Sequence, residues 1–291
     1  MKKIIAAVLI TLSLLLSLCG CSMTAFTEYS AYLNFGSYQT AAGKVSVSDI
    51  TDIEINWVTG SVRIEESDTD EVSFSEVSSL DTEKDSLGEA TENKEVSESL
   101  KMRYKVDGGK LTIQFCKSAL RIRTGAVKDL KKDLTVYVPK GTKFSEIKTD
   151  VVSSGVYIGY VHTEKFTLNS ISADMKLSGC EADAIKCDTV SGNLTVTTDE
   201  ALQNMDFKSV SGALTVNARS VTDLKADTVS ANVDLCLKEF DFALTLSGVS
   251  AEFEANGISY EKTGETNYKF NDGTGSVNFK SVSGKVRLEE K

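Results

Sequence analysis

Asp188-Thr189-Val190-Ser191-Gly192 returns twenty residues later as Lys208-Ser209-Val210-Ser211-Gly212, then as Asp227-Thr228-Val229-Ser230-Ala231 and finally as Lys280-Ser281-Val282-Ser283-Gly284. A short motif recurring at a nearly fixed period is the signature of an array, and it has to be read before any single element. Taking the small residue that closes each copy as an anchor, the series is Gly60, Ser154, Ala173, Gly192, Gly212, Ala231, Ala251 and Gly284. From Ser154 onward the spacings are 19, 19, 20, 19, 20 and 33.

The residues around the anchors alternate. Positions −7, −5, −2, +2 and +4 hold a hydrophobic residue in 39 of 40 cases, Thr149 being the exception, where a composition of 41% hydrophobic would place about 16. Position −6 is polar in all eight units. A period of two means strand. Each unit therefore carries two short strands flanking a corner, and neither strand can bury its apolar face alone. Stacking solves this, so the pattern predicts an all-β, single-domain parallel β-solenoid of about 19–20-residue coils, with a β-hairpin insertion. Consecutive units are expected to pile up in chain order, with the five apolar positions inward and backbone hydrogen bonds running between coils.

The anchor has to be small because the chain turns there. The Ser or Thr before it, present in all eight units, is expected to bond backbone groups of the corner. Position −4 carries Asp150, Asn169, Asp188, Lys208, Asp227, Ser247 and Lys280. Its mixed signs read as a surface charge ladder whose pairs are each worth little, rather than as a metal or proton-transfer site.

Two interruptions stand out. Between Gly60 and Ser154, residues 65–98 hold thirteen Asp or Glu against Lys84 and Lys94, the composition of a solvated, disordered insertion. Asp68-Thr69-Asp70 fails as a calcium loop, because Ser73 and Ser79 stand where the EF-hand needs Gly and a bidentate Glu. Residues 102–115 alternate around Asp107-Gly108-Gly109, a hairpin signal, and Leu134-Thr135-Val136-Tyr137-Val138-Pro139 is a strand stopped by the only proline. Arg121, Arg123, Lys128, Lys131 and Lys132 read as an exposed basic loop. The second interruption, 257–276, presents Tyr260, Tyr268 and Phe270 on an expected hairpin standing off the solenoid, either a cap for the last coil or a partner contact.

At the N-terminus, Lys2 and Lys3 precede an uncharged run, Ile4 to Leu18, the length of a signal-peptide core. Leu18-Cys19-Gly20-Cys21 resembles the lipobox of bacterial lipoproteins, which implies a signal peptide over 1–20, a lipid on Cys21 and anchoring on the extracytoplasmic face of the cell membrane. Residues 21–44 then read as a membrane-proximal tether, and 45–291 as the solenoid. Its aromatics, Phe26 to Tyr38, suit either the lipid interface or a cover for the first coil. Net charge is −10, and −12 once Lys2 and Lys3 leave, which disfavours nucleic acid as a partner.

Cys116, Cys180, Cys187 and Cys236 remain. Cys180 and Cys236 fall three coils apart, about 14 Å, beyond the roughly 7 Å a disulfide spans. A Cys180–Cys187 bridge across one corner stays open beside the reading of buried thiols. The only histidine, His162, sits at a corner, and the sequence shows no hydrolase elbow, zinc spacing or phosphate loop. No catalytic residue, cofactor or metal is expected.

The hairpin, the Leu134–Pro139 strand and the Val-Ser-Gly units together resemble a bacterial family known as a putative-adhesin domain of unknown function, a β-strand-repeat family, over about residues 45–291. The resemblance implies the architecture and brings no catalytic residues. It leaves a non-enzymatic cell-surface binding or scaffold module, contacting envelope polymer or another surface protein, ahead of an accessory to envelope-stress sensing and of a β-helix carbohydrate-active enzyme.

Overall fold

The computed structural model describes residues 37–40, 42–78, 100–116 and 130–291. In chain order the strands are β1 (Gln39–Thr40), β2 (Gly43–Ser46), β3 (Asp52–Ser67), β4 (Glu71–Ser78), β5 (Arg103–Asp107), β6 (Lys110–Gln114), β7 (Lys132–Pro139), β8 (Lys143–Gly159), β9 (His162–Ser170), β10 (Met175–Ser178) and β11 (Glu181–Thr189). They continue as β12 (Leu194–Thr197), β13 (Leu202–Ser209), β14 (Leu214–Ala218), β15 (Val221–Thr228), β16 (Val233–Leu237), β17 (Phe242–Gly248), β18 (Glu252–Ala255), β19 (Glu261–Lys262), β20 (Asn267–Lys269), β21 (Gly275–Ser281) and β22 (Lys285–Glu290).

These strands form a parallel β-solenoid whose register is the sequence repeat. Ile53 lies opposite Ile147, Ile147 opposite Phe166, Phe166 opposite Ile185 and Ile185 opposite Met205, all at −7. Met175, Leu194, Leu214 and Val233, all at +2, face one another in the same way. A slip of one residue would turn every inward side chain out, so the apolar alternation fixes the stacking.

The order of the coils departs from chain order at both ends. Coil 1 is β6 with β7, coil 2 is β3 and coil 3 is β8, so the first coil of the chain sits between two later ones. Coils 4 to 7 follow in sequence as β9–β10, β11–β12, β13–β14 and β15–β16. Coil 8 is then the C-terminal pair β21–β22, inserted between β15–β16 and coil 9, β17–β18. The sequence repeat could not show this, because Val277 and Leu244 satisfy the −7 column above Leu224 equally well.

Four of the five expected columns are inward: Ile53, Phe166, Phe207, Leu214 and Leu235 are all at most 1% exposed. The −2 column is not. Those valines and isoleucines are half-buried, and Val249 is 52% exposed. The pleat carries −7, −5 and −3 inward before the chain turns, so the third inward column is Trp57, Val151, Ser170, Thr189, Ser209, Thr228 and Ser281. Its hydroxyls hold the corner: Ser170 Oγ accepts the Ala173 N–H at 2.7 Å, Thr189 Oγ1 that of Gly192 at 3.0 Å, and Ser209 Oγ that of Gly212 at 2.7 Å. The −1 serines work between coils, Ser153 donating to Val58 O at 3.1 Å and Ser172 to Val152 O at 3.3 Å. Side chains at +1 add a further ladder: Asp174 Oδ1 accepts the Asn193 N–H, Asn193 Oδ1 that of Ala213, and Asn232 Oδ1 that of Lys285 in the inserted coil. Thr149 enters the core fully buried, and its Oγ1 has no partner among the described residues.

Three further expectations change. Residues 65–78 are the end of β3, a short turn at 68–70 and β4, which pairs antiparallel with β7 and buries Val72 and Phe74; the acidic residues from 79 to 98 lie outside the described residues. The stretch read as tether already contributes β1 and part of β2, paired with β5 and β4, and Tyr38 is half-buried beside them. The 257–276 hairpin forms as β19 and β20, but it lies on the solenoid: β20 pairs antiparallel with Ala243–Thr245 of β17.

At the glycine anchors the neighbouring backbone comes close. A Cβ on Gly212 would stand 2.0 Å from the Gly192 carbonyl oxygen, and one on Gly192 1.9 Å from that of Ala173. Gly212→Ala is expected to lower stability by about 1–3 kcal/mol, read from the urea midpoint, whereas Gly141→Ala, at an open turn with φ +72°, should cost less.

Candidate partner-contact site at the distal end

Nine coils separated by roughly 4.8 Å put about 38 Å between coil 1, where β4 and β5 hold the N-terminal strands β1 and β2, and coil 9. Coil 9 is therefore the end distal to β1 and β2. It gathers the three aromatics singled out in the sequence. Tyr260 and Tyr268 are 5.8 Å apart by ring centroid, Tyr260 and Phe270 5.7 Å, and Phe253 of β18 completes the cluster at 4.2 Å from Tyr268. Their roles divide by burial. Phe270 is fully buried against Phe242 at 4.9 Å, and its N–H donates to Phe242 O, so it plugs the end of the core. Tyr260 is 48% exposed, and Phe253 and Tyr268 are half-buried. Phe253 stands at a repeat position, +2, which marked it as core; its open side follows from being on the last coil.

The opposite end is closed by a group that the sequence misassigned. Lys132 is buried, 1% exposed, not part of an exposed basic loop; Arg121, Arg123 and Lys128 lie outside the described residues, and Lys131 is exposed. It sits in register with Gly60. Its ammonium donates to Leu100 O at 2.7 Å and to Phe115 O, pairs with Glu76, and lies 5.2 Å from the Trp57 ring and 4.5 Å from the Phe115 ring. Trp57 Nε1 donates to Lys132 O at 2.8 Å. One cation thus ties together β3, β4 and the segments around Leu100 and Phe115 within the first interruption. A lysine inside an alternating strand with an acid on the neighbouring strand was the available signal, masked by the basic residues before it.

Along the −6 and −4 columns the polar side chains pair with one another. Glu54 lies between Lys110 at 2.9 Å and Lys148 at 3.4 Å, and Lys148 also reaches Asp150 at 2.8 Å. Burial alone would raise the Glu54 carboxyl, but the two lysines hold it below its ordinary range. Lys186 pairs with Asp188 at 3.2 Å, and Asn169 Nδ2 donates to Asp150 at 2.6 Å. This is a ladder of neutralised charge. Among the described residues no cluster of three or more His, Cys, Asp or Glu is arranged to hold a metal.

A cavity of about 340 Å³ opens at a corner between coils 3 and 6, beside His162, Cys180, Glu181 and Leu202. It exists because the inward column running Phe144, Thr163, Ala182, Leu202 is small at its middle two places. Its groups are engaged: His162 Nδ1 lies 3.2 Å from Glu181, and the Cys180 thiol donates to Ile158 O at 3.3 Å while burial pushes its pKa up. All four described cysteines are free thiols, with Cys236 the most accessible and Cys187 held protonated by complete burial. Cys21 lies outside the described residues, and no helix among the described residues is long and apolar enough to cross a membrane.

The Toastrack DUF4097 family matches residues 50–289, from the strand of coil 2 to the last strand of the chain. The chain belongs to that family. No curated protein matches it in sequence. Several solved structures are similar at low identity: a putative cell adhesion protein from Clostridium sporogenes at 12% identity and TM-score 0.39, covering 87% of this chain and 100% of that one; a putative lipid binding protein from Parabacteroides distasonis at 14% and 0.43, covering 88% and 97%; and a putative adhesin from Bacteroides fragilis at 10% and 0.44, covering 87% and 97%.

Two outcomes test the closures of this Toastrack chain. Lys132→Ala, which strands Glu76 in a buried setting, should cost about 3–5 kcal/mol in thermal or urea unfolding, against under about 1 kcal/mol for the partly exposed Lys148→Ala. In native protein a thiol reagent should label Cys236 first, with Cys187 reacting only at the rate of global unfolding.

Proposed function

We propose that the protein is a non-catalytic binding or scaffold module of the bacterial envelope, lipid-anchored at Cys21 on the extracytoplasmic face and making its contacts through its distal end. The observation that carries this reading is the polarity of the stack. The N-terminal strands are built into one end, while half-exposed aromatics, Phe253, Tyr260 and Tyr268, lie at the other, about 38 Å away. A lipid on Cys21 would anchor the proximal end and direct the aromatic end outward. Aromatic side chains give large contact area at low entropic cost, which suits a contact surface.

The side-chain inventory supports the same reading. The titratable groups described above are used in ladders, in the Lys132 closure or in local ion pairs, and the cysteine at the cavity is a protonated thiol bonded to a carbonyl. The partner classes that fit are envelope polymer or another surface protein.

Cys21→Ala should abolish incorporation of labelled fatty acid and release the chain from the membrane fraction. With the anchor intact, in-cell photo-cross-linking from the exposed position 261 should capture a partner that Tyr260→Asp loses; Phe270 is left untouched because it belongs to the core. Unlabelled Cys21, or a capture indifferent to Tyr260→Asp, would count against the anchor and the distal contact respectively.

A further inference from the structure

Coil 9 is only half covered. β20 pairs with Ala243, Leu244 and Thr245 of β17, but β18 pairs with β22 on one side and, among the described residues, with no strand on the other. An open strand edge is a template for another extended segment, and proteins normally blunt it. Here the edge lies beside Val249, 52% exposed, and the Phe253–Tyr260 pair, whose centroids are 5.2 Å apart.

We propose that this edge binds an extended polypeptide segment of alternating basic and apolar residues by strand addition to β18. The charge pattern selects the occupant. Glu252 and Glu254 project from the outer face of β18 and are 69% and 46% exposed. On the paired side the strand that satisfies them is Lys285-Val286-Arg287-Leu288: Lys285 lies 3.8 Å from Glu252 and contacts Glu254 at 2.5 Å, Arg287 reaches Glu254 at 3.6 Å, and Val286 and Leu288 are buried. A strand on the open side would face the same two glutamates and continue the inward column next to Phe253. A second copy pairing β18 antiparallel with β18 would set glutamate against glutamate, which is unfavourable directly across strands.

The inference rests on the binding-module reading, but its test is separable, since capture in cells could proceed through another surface. The probes are a fluorescent peptide, Ser-Gly-Lys-Val-Arg-Leu, and its counterpart Ser-Gly-Glu-Val-Glu-Leu, titrated into the purified mature chain. The basic peptide is expected to bind saturably, at least about tenfold more tightly than the acidic one, and Glu252→Lys with Glu254→Lys should reverse that preference. Hydrogen exchange on the unaltered chain, which needs no variant, should show peptide-induced protection confined to residues 248–255. Absence of saturable binding, equal binding of the two peptides, or protection elsewhere would overturn the proposal. Protection of 248–255 without peptide, accompanied by concentration-dependent dimerisation in sedimentation, would overturn it in favour of a second copy.

Discussion

Everything in this molecule depends on how closely two peptide backbones approach at the corner of each coil. The inter-coil hydrogen bonds of a parallel stack require a constant spacing of about 4.8 Å, and at the corner the chain turns into its neighbour instead of running alongside it. At Gly192 and Gly212 the neighbouring carbonyl oxygen occupies the space a Cβ would need. A hydroxyl at −3 then caps the turning N–H, and another at −1 reaches the carbonyl of the coil below. The Val-Ser-Gly motif is therefore a backbone device. The serines, which on the surface of a repeat resemble a ligand track, are engaged in holding the coils together.

The ends of a solenoid are its weak points, because the last coil has a partner on one side only. Here both ends of the repeat region lie one coil inside the stack: β3 between β7 and β8, and β21–β22 between coils 7 and 9. A strand paired on both sides must break two ladders to fray, so neither end of the solenoid chain is a point from which the stack unzips. The closures are made by internal segments. At the proximal end a buried lysine shared among carbonyls, a glutamate and two aromatic rings closes the core, and at the distal end Phe270 does so. Burying an ion pair offers little net stabilisation over an apolar core, and its value is specificity of closure.

Functionally the two ends differ. At the proximal end β4 and β5 cover coil 1 and carry the N-terminal strands β1 and β2. The distal one covers β17 and leaves β18 open beside aromatic rings and a pair of glutamates. Between the ends, the −6 and −4 columns are ladders in which Glu54, Asp150 and Asp188 are paired with lysines.

By itself the sequence determined the coil. The repeat length, four of the inward columns, the hairpin around Gly108 and the register of one repeat unit on another follow from residue alternation, because a period of two and a fixed spacing leave one way to align identical units. The aromatics of the distal end were legible as a cluster in sequence, yet their division into a buried Phe270 and an exposed Tyr260 was not. Only the tertiary structure decided which coil lies on which. Equivalent repeats present equivalent faces, so the C-terminal coil fits above Leu224 as well as coil 9 does, and the choice is made by the hairpin 257–276 folding back onto β17. The same holds for Lys132, whose burial depends on segments far away in the chain converging on one ammonium, and no local pattern records that convergence.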